Sequence, residues 1–249
     1  MKYTLKILKG TKEFVLKELL SKYPNTEILD QTEEDISFKS HINLEEYRNL
    51  YSPTHILNEK GNILNLSKRD WRKEYVPAGI NPSLAYIMCM IADLRQEDIL
   101  LDPFCGASTI PITAIKYFYI KRCICVDKSD SAIVKSKQNF LNANIEQERY
   151  KLFRKDIQDI KLNKRNIDVI ISNLPFGIRV GTHDENIKVY IKLEDIANRL
   201  LRTKGKIVLL TQEKKLVREV FKNWNIKSIT QVDEGGLLPE IFLIKRKYN

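Results

Sequence analysis

The period of apolar positions changes once along the chain. Residues 3–9 alternate as a strand does when one face is buried, and 11–22 take up a helical spacing. In that helix Phe14, Val15, Leu19 and Leu20 fall on one side, Thr11 is placed as N-cap, and Pro24-Asn25 ends the element. Glu27–Leu29 and Asp35–Lys39 pattern as a strand pair around the turn 31–34, followed by a short helix near 44–50. A β-α-β-β order within residues 1–70 predicts a small α+β module. Residues 53–70, punctuated by Pro53 and Gly61-Asn62, are expected to be a linker.

From Trp71 onward, short apolar runs alternate with amphipathic stretches, which calls for a parallel sheet covered by helices. Asn81-Pro82-Ser83 opens a helix to about Leu94, with Leu84, Ile87, Met88 and Ile91 on its apolar side. The order then reads strand 99–101, helix 108–119, strand 122–126, helix 129–142 capped by Ser129, and strand 150–153. Strand 167–172, helix 187–201, strand 206–210 and helix 213–224 follow. Strands 226–232 and 240–245 have no helix between them, only Gly235-Gly236, and predict an antiparallel pair at the edge. The expected architecture is α/β and Rossmann-like over residues 71–249, preceded by the small module of residues 1–70.

Charge refines this division. Residues 1–70 carry 11 basic and 11 acidic side chains, so the whole net charge of +10 falls on residues 71–249. A basic surface favours a polyanion through phosphate contacts and counterion release, although solvated lysine-rich faces give the same count. No apolar run approaches the roughly 18 residues that cross a bilayer, and the start of the chain alternates like a strand rather than a signal peptide. No membrane partner is expected, and the expected compartment is the cytoplasm. Cys89, Cys105, Cys123 and Cys125 lack the spacing of a zinc site, and Cys123 and Cys125 share one face of a buried strand. No metal is expected; His41, His55 and His183 also lack a matching set of ligands.

The candidate chemistry collects at strand ends. Asp102-Pro103-Phe104-Cys105-Gly106-Ala107-Ser108-Thr109 joins the first strand of the sheet to its helix. Gly106 permits close backbone approach to a ligand, and Ser108 or Thr109 is placed to cap a helix whose N-terminus favours a carboxylate. Neither a P-loop lysine nor Gly-x-Gly-x-x-Gly is present, so nucleotide phosphates and nicotinamide cofactors lose support. Asp127, with Lys128 beside it, ends the second strand, where a carboxylate accepts from two ribose hydroxyls or simply caps a helix. Asp156 and Ile157 end the third, where the acid can accept from an adenine amine or lie in a surface loop. The fourth delivers Asn173-Leu174-Pro175-Phe176-Gly177 to the carboxyl edge.

Together the Asp-Pro-Phe-Cys-Gly-Ala-Ser-Thr loop and Asn-Leu-Pro-Phe-Gly resemble the RNA guanine 2-amino methyltransferases that usually carry a THUMP domain. The similarity covers residues 71–249, including the turn Gly235-Gly236-Leu237. It implies S-adenosylmethionine as cofactor, RNA (tRNA ahead of rRNA) as partner, and a guanosine amine as acceptor. Pro82, Ser83 and Leu84 resemble the element that flanks the methionine part of the cofactor. Two departures stand out. Ser108 occupies a position that the family fills with glycine. The module 1–70 resembles the ferredoxin-like domain before THUMP, and the catalytic half follows almost directly, so a full THUMP domain is expected to be missing.

An exocyclic amine on a base is a poor nucleophile, because its lone pair is delocalised into the ring. If the Asn173 side-chain oxygen and the Leu174 carbonyl each accept one amine hydrogen, the nitrogen is drawn toward tetrahedral geometry and its lone pair is oriented for attack. Pro175 fixes the turn, and Phe176 can stack on the base, a contact of about 1–3 kcal/mol. A base in a helical stem must first be flipped out. Phe176, Gly177 and Arg179 are the expected substrate contacts; Lys188, Tyr190 and Lys192 either line the same mouth or form a solvated helix face. Trp71, Arg72 and Tyr75 either touch RNA or pack between modules. Rival expectations are amine methylation in DNA, methylation of a protein glutamine, and an RNA-binding module with impaired catalysis.

Overall fold

In the computed structural model, which describes residues 1–156, 159, 162–175 and 183–247, the chain forms two sheets. The first module runs β1 (Lys2–Lys6), α1 (Lys12–Lys22), β2 (Glu27–Gln31), β3 (Asp35–Lys39), a 3-10 turn (Leu44–Asn49), β4 (His55–Asn58) and β5 (Ile63–Asn65). Its antiparallel order is β2-β3-β1-β4-β5. The segment 53–70 is therefore not only a linker. Its two short strands extend the sheet beyond β1, the pairing of β4 with β1 satisfying backbone groups that a free linker would leave to water.

One side chain of α1 departs from its expected side. Leu20 is exposed and Glu18 buried, because the Glu18 carboxylate accepts from the Tyr51 and Ser52 amides, the Ser52 hydroxyl and Lys22. A buried carboxylate with this many donors is satisfied, whereas a leucine there would orphan two backbone amides. Thr11 does stand at the N-cap of α1, but its side chain makes no capping bond; its hydroxyl donates to the Leu8 carbonyl.

The larger sheet is built from β6 (Ile99–Asp102), β7 (Arg122–Asp127), β8 (Tyr150–Arg154), β9 (Ile167–Asn173), β10 (Leu201–Thr211), β11 (Trp224–Gln231) and β12 (Glu240–Arg246). Helices α2 (Pro82–Ile91), α3 (Thr109–Phe118), α4 (Asp130–Asn142), α5 (His183–Leu200) and α6 (Lys214–Val220) cover it. The strand order is β11-β12-β10-β9-β6-β7-β8, parallel from β10 to β8 and antiparallel at β12 and β11. That is the mostly parallel sheet with an antiparallel edge expected from the sequence. α6 is shorter than its pattern suggests, and Trp224 already belongs to β11.

Both faces of the sheet are buried, and the strand period of two sorts side chains between them. Leu100, Cys123, Cys125, Val169 and Ile171 join one apolar layer with α2, α3 and α4. Leu101, Ile124, Val126 and Ile170 join the other with α5 and α6. Cys123 and Cys125 do share a face, and burial raises the pKa of both thiols. Local caps match their residues: the Asn81 side chain accepts from the Ser83 amide at 2.8 Å, and the Ser129 hydroxyl from Ala132 at 3.3 Å.

The two modules are bonded to each other. The Ser83 hydroxyl donates to the Pro53 carbonyl at 2.8 Å, Thr230 donates to the Gly10 carbonyl at 2.7 Å, and the rings of Tyr51 and Tyr117 lie 4.0 Å apart. Among the described residues no helix is long and apolar enough to cross a membrane.

Candidate active site

In the sheet, β6 is flanked by β7 on one side and β9 on the other, so the chain reverses direction of winding between β6 and β9. Ligands bind outside the carboxyl ends of strands at such a point. A cleft of about 1220 Å³ opens there, lined from both modules.

At the end of β6, Asp102 is buried. It accepts from the Ser172 hydroxyl at 2.7 Å and from the Phe104 amide at 3.2 Å. Burial pushes its carboxyl up to about 7; those two hydrogen bonds oppose the rise and the charge of Asp127 adds to it. The loop then turns through two left-handed residues, Gly106 at φ +53° and Ser108 at φ +60°. Gly106 suits that conformation, and a side chain there would also press on Val76.

Ser108 stands at the N-cap of α3, but its side chain makes no capping bond. Its hydroxyl is buried and pairs with that of Ser136, which offsets the cost of a non-glycine residue at positive φ. Thr109 accepts from the Arg72 guanidinium at 3.2 Å.

Asp127 at the end of β7 ties the loop to its neighbour strand. One carboxylate oxygen accepts from the Gly106 amide and the other from Ser129, both at 2.9 Å. Each oxygen keeps a second lone-pair site, so this carboxylate can accept from ribose hydroxyls as well. Lys128 and Asp156 line the cleft beyond it, and Asp156 also meets Lys192 at 3.3 Å.

Asn173 ends β9. Its side-chain nitrogen donates to the Ala78 carbonyl at 3.2 Å, and its side-chain oxygen is buried with no partner among the described residues. An orphaned buried acceptor is costly unless a ligand fills it, and this one belongs to a cleft-lining residue. The Leu174 amide donates to the Leu210 carbonyl at 3.0 Å, and the Pro175 carbonyl receives the Tyr190 hydroxyl at 3.4 Å. Tyr190 is thus no part of the cleft mouth: it is fully buried, shares its hydroxyl with Thr211, and supports the turn from below. Lys188 and Lys192 do line the cleft.

Of the expected cofactor contacts, Asp102, Phe104, Cys105, Gly106 and Thr109 line the cleft, as does Pro82. Ser83 and Leu84 do not. Leu84 is wholly buried, and Ser83 is spent on the Pro53 carbonyl of the first module. Ile157, Phe176, Gly177 and Arg179 lie outside the described residues.

Trp71 and Arg72 pack rather than face solvent. Trp71 donates to the Tyr117 hydroxyl at 3.2 Å, and Arg72, its pKa lowered by burial, stacks over Tyr75 with 4.7 Å to the ring centre. Tyr75 itself is 56% exposed and lines the cleft.

Three residues around the cleft carry little signal in the sequence. Asn139 lies buried in the middle of α4. It accepts from the Lys73 and Glu74 amides and donates to the carbonyls of Glu74 and Ala107. An asparagine inside a helix gives no periodic signal, so its role is invisible without the fold. Ser172 is more legible, being a polar residue that closes the apolar run of β9. Ala78, at φ +55°, has only the adjacent Pro77 and Gly79 as a turn signal.

Residues 69–237 match the family described as RMKL-like, methyltransferase domain. The chain belongs to that family.

The matched stretch takes in β6 to β11 of the larger sheet and most of the residues that line the cleft. Among curated proteins the chain is 24% identical over 218 residues to the tRNA (guanine(6)-N2)-methyltransferase of Methanocaldococcus jannaschii, which covers 72% of this chain and 57% of that protein. It is 26% identical over 186 residues to the tRNA (guanine(6)-N(2))-methyltransferase THUMP3 of Mus musculus, covering 68% and 37%. It is 29% identical over 136 residues to the U6 snRNA (guanine-N(2))-methyltransferase THUMPD2 of Homo sapiens, covering 55% and 26%. The chain thus spans only part of the length of these relatives. Among solved structures it matches TrmN from Thermus thermophilus with TM-score 0.85 at 16% identity, over 99% of both chains. SMU.472, a putative methyltransferase complexed with SAH, matches with TM-score 0.78 at 14% identity, over 100% of this chain and 98% of that one. At such identity the likeness is one of fold, and it extends over the first module as well.

Proposed function

We propose that this chain is an S-adenosylmethionine-dependent methyltransferase that modifies the 2-amino group of guanosine in structured RNA, tRNA before rRNA, in the cytoplasm. The observation that carries the reading is the unpartnered side-chain oxygen of Asn173, buried in a cleft-lining residue at the reversal point of a methyltransferase-family sheet. The guanine and the RNA are supported by the curated relatives and by the location of the net positive charge.

The residues present fit the cofactor. Gly106 offers a backbone without a side chain in the way, Asp127 retains acceptor capacity for ribose hydroxyls, and Lys128 and Asp156 continue the cleft along the same strand ends. When bound, S-adenosylmethionine supplies an electrophilic methyl group on sulfur. The chain's own work is to present the acceptor. Asn173 accepts one amine hydrogen through its side chain, Leu174 accepts the other through its carbonyl, and the amine is held with its lone pair free. Pro175 fixes the turn, and Tyr190 and Thr211 brace it. Exposed Lys188 on α5 and Lys68 on the first module border the same cleft and suit the phosphates on either side of an extruded base. On this reading residues 1–70 form a wall for substrate and 71–249 carry the chemistry.

Transfer of labelled methyl from S-adenosylmethionine into total tRNA and rRNA, followed by nucleoside mass spectrometry, tests the proposal. Label in N2-methylguanosine is expected. Label confined to methyladenine, to DNA or to protein would refute the guanosine assignment.

A further inference from the structure

We infer that the backbone carbonyl of Ala78 is a positioning group for the reaction: it sets which way the Asn173 amide faces and links that orientation to the cofactor loop. This rests on the methyl-transfer reading above and deepens it. Residues 73–80 form a strap across the carboxyl ends of β6 and β9. One end is fastened by Asn139, which bonds Lys73 and Glu74 on the strap and Ala107 in the cofactor loop, at 3.0–3.1 Å. Lys135 holds the Tyr75 carbonyl at 2.7 Å. At the other end Arg72 grips the Ile80 carbonyl at 3.1 Å and Thr109 at 3.2 Å. Between these anchors Val76 sits on Gly106 so closely that an added Cβ there would lie 3.0 Å from it. The strap then turns, with the Gly79 amide bonded to the Val76 carbonyl and Ala78 at φ +55°.

That turn delivers the Ala78 carbonyl to the Asn173 nitrogen at 3.2 Å. An amide side chain has one donor end and one acceptor end. With a carbonyl holding the donor end, the acceptor end is the one left unpaired. The pocket then demands a substrate that offers N–H, which an amine does and a ring carbonyl does not. Rotating the amide by half a turn would set its oxygen against the Ala78 carbonyl, two acceptors face to face. The strap thereby makes acceptor selectivity depend on the same loop that meets the methyl donor.

The test pairs two substitutions at Ala78 with two readouts. Ala78→Val puts a β-branched residue at positive φ and should displace the carbonyl. With S-adenosylmethionine and in-vitro transcribed tRNA, we expect kcat to fall at least tenfold while KM for RNA and the cofactor Kd stay within twofold. Ala78→Gly suits the left-handed backbone but loosens it. Its thermal midpoint should hold or rise while kcat falls a few-fold, so stability and turnover part company, which a merely structural residue would not produce. The second readout needs no activity. The Asn173 side-chain NH2 signals, identified by their loss in Asn173→Ala, should exchange slowly in the unmodified chain and at least tenfold faster in Ala78→Val. Unchanged kcat in both variants, equal losses of kcat and cofactor binding, or unchanged exchange would each overturn the inference. If the unmodified chain transfers no methyl to tRNA or rRNA, the guanosine reading fails, and the exchange experiment alone decides this one.

Discussion

The hydroxyl of Ser172 donates to the buried carboxylate of Asp102 across the join between β9 and β6, at 2.7 Å. With the bond from the Ile99 amide to the Asp168 carboxylate, it ties the two strands together where the winding of the sheet reverses. It also places an acid with a carboxyl pushed up to about 7 at the base of the cleft.

Stability should therefore carry the signature of Asp102. Its folded pKa lies above its ordinary value of 3.8, so the folded chain binds the proton more tightly than the unfolded one. The associated stabilisation is complete below about pH 4 and is lost as pH rises toward 7. Asp102→Asn removes that loss. Urea denaturation at a series of pH values should show the variant gaining on the unmodified chain between pH 4 and 7 and then levelling. The gain is at most roughly 4 kcal/mol, because a one-proton difference between the folded and unfolded chain is worth about 1.4 kcal/mol per pH unit. Parallel pH profiles would show that the carboxyl is not the titrating group.

On the proposed reading, Asn173→Ala should abolish methyl transfer while leaving cofactor affinity nearly intact, because the lost atom would be the acceptor for the substrate amine. Calorimetry with S-adenosylhomocysteine alongside labelled-methyl transfer separates the two effects. If binding and transfer collapse together, the residue serves the fold and not the acceptor.

Asp127→Ala should weaken S-adenosylmethionine by about 1.5–3 kcal/mol, the range for hydrogen bonds to a charged group. Two contributions combine: loss of an acceptor for the ribose, and release of the Gly106 amide that the carboxylate now holds. Asp127→Asn keeps an acceptor for one of them and should fall between. Unaltered affinity in the alanine variant would remove Asp127 from the cofactor site.

Ser108 and Ser136 make a coupled pair. Ser108→Gly relieves a left-handed backbone by about 1–2 kcal/mol but strands the buried Ser136 hydroxyl at a cost of about 1–3 kcal/mol. The single variant should be close to neutral or slightly less stable. Adding Ser136→Ala should recover stability, visible as a higher denaturation midpoint than in Ser108→Gly alone. Additive effects would mean that the two hydroxyls do not depend on each other.

Gly10→Ala should loosen the first module from the second. A Cβ at Gly10 would lie 1.8 Å from the Gln231 carbonyl oxygen, and the backbone there is at φ +83°. A loss of more than about 2 kcal/mol is expected, since overpacking against backbone and an alanine at positive φ act together. Increased proteolysis near residues 9–12 would report it. An unchanged cleavage pattern and midpoint would show that the contact is dispensable.

Local rules within the sequence determined much of this molecule. The fully apolar runs of β6 and β9 required a sheet covered on both faces, because a strand with no polar side cannot face water. Gly106 with its flanking loop, Asp127, Asp156 and Asn173 could be located because each stands at the end of such a run, and parallel strands carry their last residues to one edge. What the tertiary structure alone decided are relationships between residues far apart in the chain. Strand β4 forms because β1 offers an edge to pair with, and β5 because β4 then offers another, although their own sequence reads as a linker. Glu18 is buried because the Tyr51 and Ser52 amides await it, and Ser83 is drawn from the cofactor to Pro53. The Asn173 amide faces as it does because Ala78, 95 residues earlier, presents a carbonyl. Hydrogen-bond partners at such separations leave no periodicity in a sequence; they exist only once packing has fixed which backbone groups remain to be satisfied.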